Sequence, residues 1–149
     1  MGIHVRKAGI ADLSKAVYVL NHIPEFDSLF YTKQVQAKLE KSEFILLLAE
    51  FAGKPVACKI AYNRYYDGSV YSWLGGVLPP FRRQGVAEML HENLVREAKR
   101  QFFQSIRLKT RNQHNALLIF ALKRGFHISG FTPCENYIDS RIELSMNLK

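Results

Sequence analysis

Residues 73–100, WLGGVLPPFRRQGVAEMLHENLVREAKR, limit the fold more than any other stretch. A strand-like run ends at Pro79 and Pro80, neither of which can donate to a sheet ladder. A new pattern follows almost at once, with Val86, Leu90, Leu94 and Ala98 spaced four apart and Met89 beside them, which is one face of a helix. The chain must turn from a strand straight into a helix, and the first N–H groups of that helix have no partner within it. With the positive end of the helix dipole they make a site for an anion. Gly85 lets a bulky group approach the backbone, while Arg82 and Arg83 add charge and forked donors. A diphosphate fits this description best.

The remaining patterns supply neighbours for that unit. IHVRKA (3–8) alternates as a strand, and Asp12 is placed to cap the helix suggested by LSKAVYVLNHI (13–23), with Leu13, Val17 and Leu20 on one face. A second amphipathic helix is expected over 32–42. Strands are expected at 43–51, 56–66 and 67–78, the first two joined through AGKP as a hairpin and all three antiparallel. After the long helix at 85–100 come a strand at 105–110, a helix at 115–124 and strands at 126–131 and 140–148, where Ile142, Leu144, Met146 and Leu148 share a face. The helix at 115–124 is apolar nearly all round, so burial on several sides is expected, with Gly125 as its left-handed cap. The order implies an α/β (α+β) fold, a mixed and mostly antiparallel sheet of about seven strands flanked by about four helices. One domain over 1–149 is expected from the length.

Charge narrows the partners without choosing one. Lys and Arg number 21 against 13 Asp and Glu, a net +8, which favours anionic ligands: nucleic acid, an acidic membrane or a multiply charged cofactor. The basic residues are scattered and no stacking motif accompanies them, which argues against nucleic acid. No apolar stretch approaches the roughly 20 residues of a membrane span, and MGIHVRKAGIADL lacks the apolar core of a signal peptide, so a cytoplasmic protein that does not cross a membrane is expected. Cys58 and Cys134 have no neighbours at metal-ligand spacing and read as packing thiols. His22 and His114 likewise read as structural, and no metal is expected.

Arg82, Gly85 and Ala87 have the R-x-x-G-x-A form of the Q/R-x-x-G-x-G/A signature, and here the chain resembles the GCN5-related N-acetyltransferase (GNAT) family. The likeness runs through VRKAGIADL, WLGGVLP, the long helix and KRGF, essentially the whole length. It differs from a nucleotide-triphosphate loop, which calls for Gly-Lys-Ser/Thr, and from the three-glycine dinucleotide fingerprint. The resemblance implies acetyl-coenzyme A as acyl donor, its pyrophosphate held by backbone amides of Arg82, Arg83, Gln84, Gly85, Val86 and Ala87. It implies that the sheet is splayed where the pantetheine arm pairs with GGVL, next to SIRLKT. An N–H near Val77 or Leu78 is then expected to stabilise the oxyanion, and Gly75 and Gly76 to mark a bulge or a close approach.

One departure stands out. Counting back from the Gly-Phe pair, the places where the family usually has Asn and a general-acid Tyr hold His114 and Ala121. Asn112 and Asn115 flank the first and are candidates for the cofactor contact; for the acid, Tyr137 and water are the substitutes. The central strand carries no acid, leaving Asp67 and Glu50 as candidate general bases. The family's acceptor loop corresponds to HIPEFDSLFY, where Glu25 and Asp27 are expected to attract a cationic amine and Phe26, Phe30 and Tyr31 to wall a pocket with Trp73. The expected activity is N-acetyl transfer to the primary amine of a small molecule or peptide, by direct attack on the thioester, in a monomer or homodimer. The alternative is an inactive acyl-coenzyme A sensor of the same fold.

Overall fold

The structure, a computed structural model, describes residues 2–149; Met1, where the expected domain begins, lies outside them. In chain order the elements are β1 (Ile3–Ala8), α1 (Leu13–Leu20), α2 (Thr32–Leu39), β2 (Phe44–Phe51), β3 (Lys54–Tyr62), β4 (Ser69–Val77), α3 (Val86–Arg100), β5 (Ser105–Arg111), α4 (Asn115–Lys123), β6 (His127–Thr132) and β7 (Arg141–Asn147). The seven strands form one sheet in the order β1-β2-β3-β4-β5-β7-β6. All neighbours are antiparallel except β4 and β5, which the α3 crossover makes parallel. No helix among the described residues is long and apolar enough to cross a membrane.

β2 reads as an unbroken apolar run because both of its faces are covered. Ile45, Leu47 and Ala49 pack with Val86, Leu90 and Leu94 of α3, whereas Leu46 and Leu48 pack with Leu13, Leu20 and Leu39 on the α1 and α2 side. The β2–β3 hairpin closes through Ala52 and Gly53, both at positive φ (51° and 78°), the two-residue turn whose twist matches that of the strands. Gly125, at φ 98°, ends α4 as expected.

Two local expectations fail for physical reasons. Asp12 precedes α1 but makes no capping bond, because Arg6 and Lys15 hold its carboxylate at 3.2 and 3.5 Å. α4 is the larger surprise: Ala121 is its only buried residue, and Leu117, Ile119 and Leu122 are exposed. Part of its apolar surface faces an open cleft instead of core, with Leu117, Phe120 and Ala121 lining it.

Glu97 fastens α3 to the sheet edge. Its carboxylate accepts from Arg100 and Gln101 and pairs with Lys7 of β1 at 2.8 Å, and these partners hold its pKa at about 2, well below the ordinary 4.5. A carboxylate depressed in the folded state stabilises fully above its unfolded pKa and loses that contribution as pH falls from about 4.5 towards about 2. Glu97→Gln should therefore lower stability at pH 7 by about 1 kcal/mol, the partners being partly solvated. It should also flatten the stability profile over that acidic window, as read by urea unfolding at pH 7 and pH 3.

Candidate functional site

β4 and β5 pair over three positions only, Ser69↔Ser105, Val70↔Ile106 and Tyr71↔Arg107, and then part. β4 stays on β3 and β5 stays on β7 along their lengths, so a V-shaped gap opens in the middle of the sheet. At its start β4 carries an extra residue: Ala61 faces Ser72 and Ile60 faces Leu74, which leaves Trp73 as a bulge. The bulge thus precedes Gly75 and Gly76. Those glycines are fixed by close packing, since a Cβ at Gly75 would lie 2.8 Å from the Cys58 carbonyl oxygen and one at Gly76 2.9 Å from Ile23 Cδ1.

Past β4 the chain makes a short 3-10 turn, Pro79–Phe81, and enters α3 through Arg83 (φ 62°) and Gly85 (φ 79°), both left-handed. No backbone N–H from Arg83 to Glu88 has an acceptor among the described residues; the first bonded one is Met89, to the Gly85 carbonyl at 3.0 Å. Successive N–H groups in such a turn, added to a helix N-terminus, form an anion-binding concavity. Arg83 and Gln84 are exposed here, and Val86 is buried beneath.

Arg82, whose backbone amide is expected in this set, gives its N–H to the Pro79 carbonyl at 3.3 Å as the 3-10 turn closes, and its side chain is committed elsewhere. Nε donates to the Val77 carbonyl at 2.9 Å, and Nη1 and Nη2 donate to Glu25 Oε2 and Oε1 at 3.0 and 2.9 Å. That fork holds the Glu25 carboxyl below the ordinary carboxylate range, so Glu25 is neutralised as a lure for cationic amines. Leu78, one of the two expected oxyanion donors, gives its N–H to the Val56 carbonyl at 2.9 Å and has none to spare. Antiparallel pairing alternates, so Val77 turns its N–H towards the gap, on the side where its carbonyl meets Arg82.

The gap joins two cavities. One of about 440 Å³ lies on the α3 and α4 side, lined by Val77, Arg83, Gly85, Val86, Ala87, His91 and Ala121. The other, of about 870 Å³, lies towards the α1–α2 loop and takes in Glu25, Phe26, Trp73, His114 and Asn115. That loop is shaped by Asn21, whose amide donates to the Phe30 carbonyl and accepts from the Phe30 N–H. Asp27 and Tyr31 are exposed and line neither cavity.

Asp67, Glu50, Tyr137 and Asn112 line neither cavity. Asp67 precedes β4 at the closed end of the gap, bonded to Ser69 and to Arg107 at 3.1 Å. Glu50 is held by Arg6 at 2.8 Å, which keeps its pKa down. Tyr137 is exposed, and Asn112 donates its amide to the Tyr137 carbonyl instead of lining the cleft. Cys58 is buried, its thiol pushed up to about 12 by burial, as suits a packing residue. Among the described residues no cluster of His, Cys, Asp and Glu could hold a metal ion.

Sequence reasoning passes over Lys59 and Ser72, which line both cavities. The Lys59 ammonium donates to Ser72 Oγ at 3.1 Å, and burial lowers its pKa. A signal for it does exist: a lysine between Ala57 and Ala61 breaks the apolar face of an interior strand. Burial also lowers the pKa of His91, with Lys59 and Arg124 adding to the effect.

A gap between β4 and β5 with a donor-rich turn at its mouth defines a class of protein, and the comparisons name it. The sequence model of the Acetyltransferase (GNAT) family matches residues 10–126, and the chain belongs to that family. No curated protein sequence matches the chain. Among solved structures, the ribosomal-protein-S18-alanine N-acetyltransferase of Escherichia coli superposes with a TM-score of 0.82 at 16% identity, over 99% of this chain and 94% of that one. Ard1 of Thermoplasma volcanium gives 0.79 at 17% identity, over 99% and 98%. A GNAT family acetyltransferase of Elizabethkingia anophelis with acetyl-CoA bound gives 0.72 at 20% identity, over 98% of each. At these identities the likeness is one of fold.

The Arg82–Glu25 fork should appear in a double-mutant cycle of Arg82→Gln and Glu25→Gln. A coupling of roughly 0.5–1 kcal/mol is expected at low salt, smaller at 1 M salt, because both groups are partly exposed. Arg82→Gln should cost more alone, since it also frees the Val77 carbonyl; urea unfolding of the four proteins measures both effects.

Proposed function

We propose that the chain is a coenzyme A thioester-dependent N-acyltransferase, with acetyl-CoA the donor its family implies and a primary amine of a small molecule or peptide the acceptor. One observation carries this reading: a run of unbonded N–H groups, Arg83 to Glu88, stands at the mouth of a gap whose walls include a strand edge without a partner. Such a site suits a long ligand with phosphates at one end and an amide-bearing arm to pair with β4. The residues therefore fit the donor. The thioester supplies an activated acyl carbon.

The protein handles charge and position. Backbone amides from Arg83 to Ala87 take the phosphates, the Arg83 side chain adds a cation, and Asn115 stands at the start of α4 on the opposite wall. The Val77 N–H receives the negative charge that grows on the carbonyl oxygen as the amine attacks. The amine arrives from the side of Phe26 and Trp73, and His114, at the head of α4 on that same side, is placed to take its proton directly or through water. With Ala121 where a phenol is usual and Tyr137 off the cleft, the departing thiolate takes its proton from water. The reading places this chemistry in one cytoplasmic domain, monomeric or homodimeric, without membrane or nucleic acid as partner.

Calorimetric titration with acetyl-CoA tests it. Micromolar binding is expected for the wild type, weakened at least about 30-fold, or roughly 2 kcal/mol, in an Arg83→Glu, Gly85→Glu variant that circular dichroism shows to be folded. Absence of binding by the folded wild type would overturn the proposal.

A further inference from the structure

A charged side chain inside a sheet is costly unless an opposite charge answers it. Lys59 stands in β3 with a strand on either side, on the face that carries α3 and α4. Its ammonium has one acceptor, Ser72 Oγ, and no carboxylate partner among the described residues. The two carboxylates that line the cavities, Glu25 and Glu88, are already held by Arg82 and Arg124. A cation thus faces the cleft with donors to spare, since an ammonium carries more N–H groups than a single hydroxyl oxygen satisfies.

Its place along the gap indicates what would answer it. β4 and β5 are last joined at Tyr71↔Arg107, and Ser72 is the next residue, so the ammonium lies at the closed end of the V. The free N–H groups of Arg83 to Glu88 stand at the open end, past Val77. Gly75, opposite Lys59 in register, leaves room over the ammonium, for a Cβ there would lie only 3.1 Å from Nζ. A linear ligand held by phosphates at the open end points its far tip at Lys59.

We propose that Lys59 recognises a carboxylate at the tip of the acyl group, so that the preferred donor is the coenzyme A thioester of a short dicarboxylic acid, of malonyl or succinyl length. This rests on the reading of the gap as a coenzyme A thioester site. Lys59 donates to the carboxylate, and the Ser72 hydroxyl, once released as acceptor, donates to it as well. The transfer itself is unaltered: the amine nitrogen bonds to the thioester carbon, the carbon–sulfur bond breaks with its electron pair going to sulfur, and the distal carboxylate takes no part.

Calorimetry of the full chain with acetyl-, malonyl- and succinyl-coenzyme A decides the matter, repeated on Lys59→Met. At least one dicarboxylic thioester should bind the wild type about tenfold or more tighter than acetyl-coenzyme A, the scale of one charge-assisted contact. In Lys59→Met that preference should shrink to less than about twofold, in a protein whose Tm equals or exceeds that of the wild type because a partly buried cation without a counter-charge has been removed. Should Lys59→Met fail to fold, the wild-type comparison decides alone. Equal or weaker binding of both dicarboxylic thioesters to the wild type overturns the proposal, as does a preference that survives in Lys59→Met. Because Lys59 also borders the acceptor-side cavity, amines with and without a carboxylate are compared in turnover assays; Lys59-dependent selection there, with none among donors, moves the carboxylate to the other substrate and overturns the assignment. Failure of every thioester to bind overturns the proposed function along with it.

Discussion

The parting of β4 from β5 is the constraint around which the rest of the molecule is arranged. Each strand is satisfied on its outer side, β4 by β3 and β5 by β7, so the sheet holds together although its middle is open. The α3 crossover makes the two parallel, and the bulge at Trp73 sits where they separate. Pro79 and Pro80 then stop β4, and the chain turns into a helix whose leading N–H groups have nothing to bond. Cavities on both faces meet through this opening, so one point in the sheet is reached from two sides.

The sequence was most legible where physical chemistry is local. Periodicity gave the order of strands and helices, the glycine cap of α4 and the strand-to-helix turn, because each depends on residues within a few positions of one another. It was least legible where a side chain's partner lies far along the chain. Nothing near Arg82 announces that Glu25 occupies its fork, and nothing near Leu78 that Val56 takes its N–H. The helix at 115–123 misled for a related reason: an apolar surface that lines an open cleft has the same composition as one that packs into core. Lys59 could have been noticed as a break in an apolar alternation, but only the register with Gly75 and the bond to Ser72 place it at the vertex of the gap.

Family membership and individual chemistry separate clearly in this chain. The structural neighbours share its architecture at 16–20% identity, so fold survives almost complete replacement of side chains. Backbone features persist under such replacement more readily than side-chain features do, and the donor-rich turn and the unpaired strand edge are both features of backbone. His114 and Ala121 stand where the family resemblance leads one to expect Asn and Tyr, and Lys59 and Ser72 border both cavities, so the side chains of the cleft have to be read for themselves and not from the fold.

Arg82 belongs to two structures at once. Its main chain leads into the turn that presents the free N–H groups, while its side chain clamps the end of β4 to Glu25 in the loop between α1 and α2. A change in this residue is therefore felt on both sides of the opening, and so is a shift of the turn that carries it. The loop around Glu25 and the turn before α3 are thus coupled: exchanging that loop for one without an acid gives up an ion pair worth roughly 0.5–1 kcal/mol and leaves the Arg82 fork to solvent.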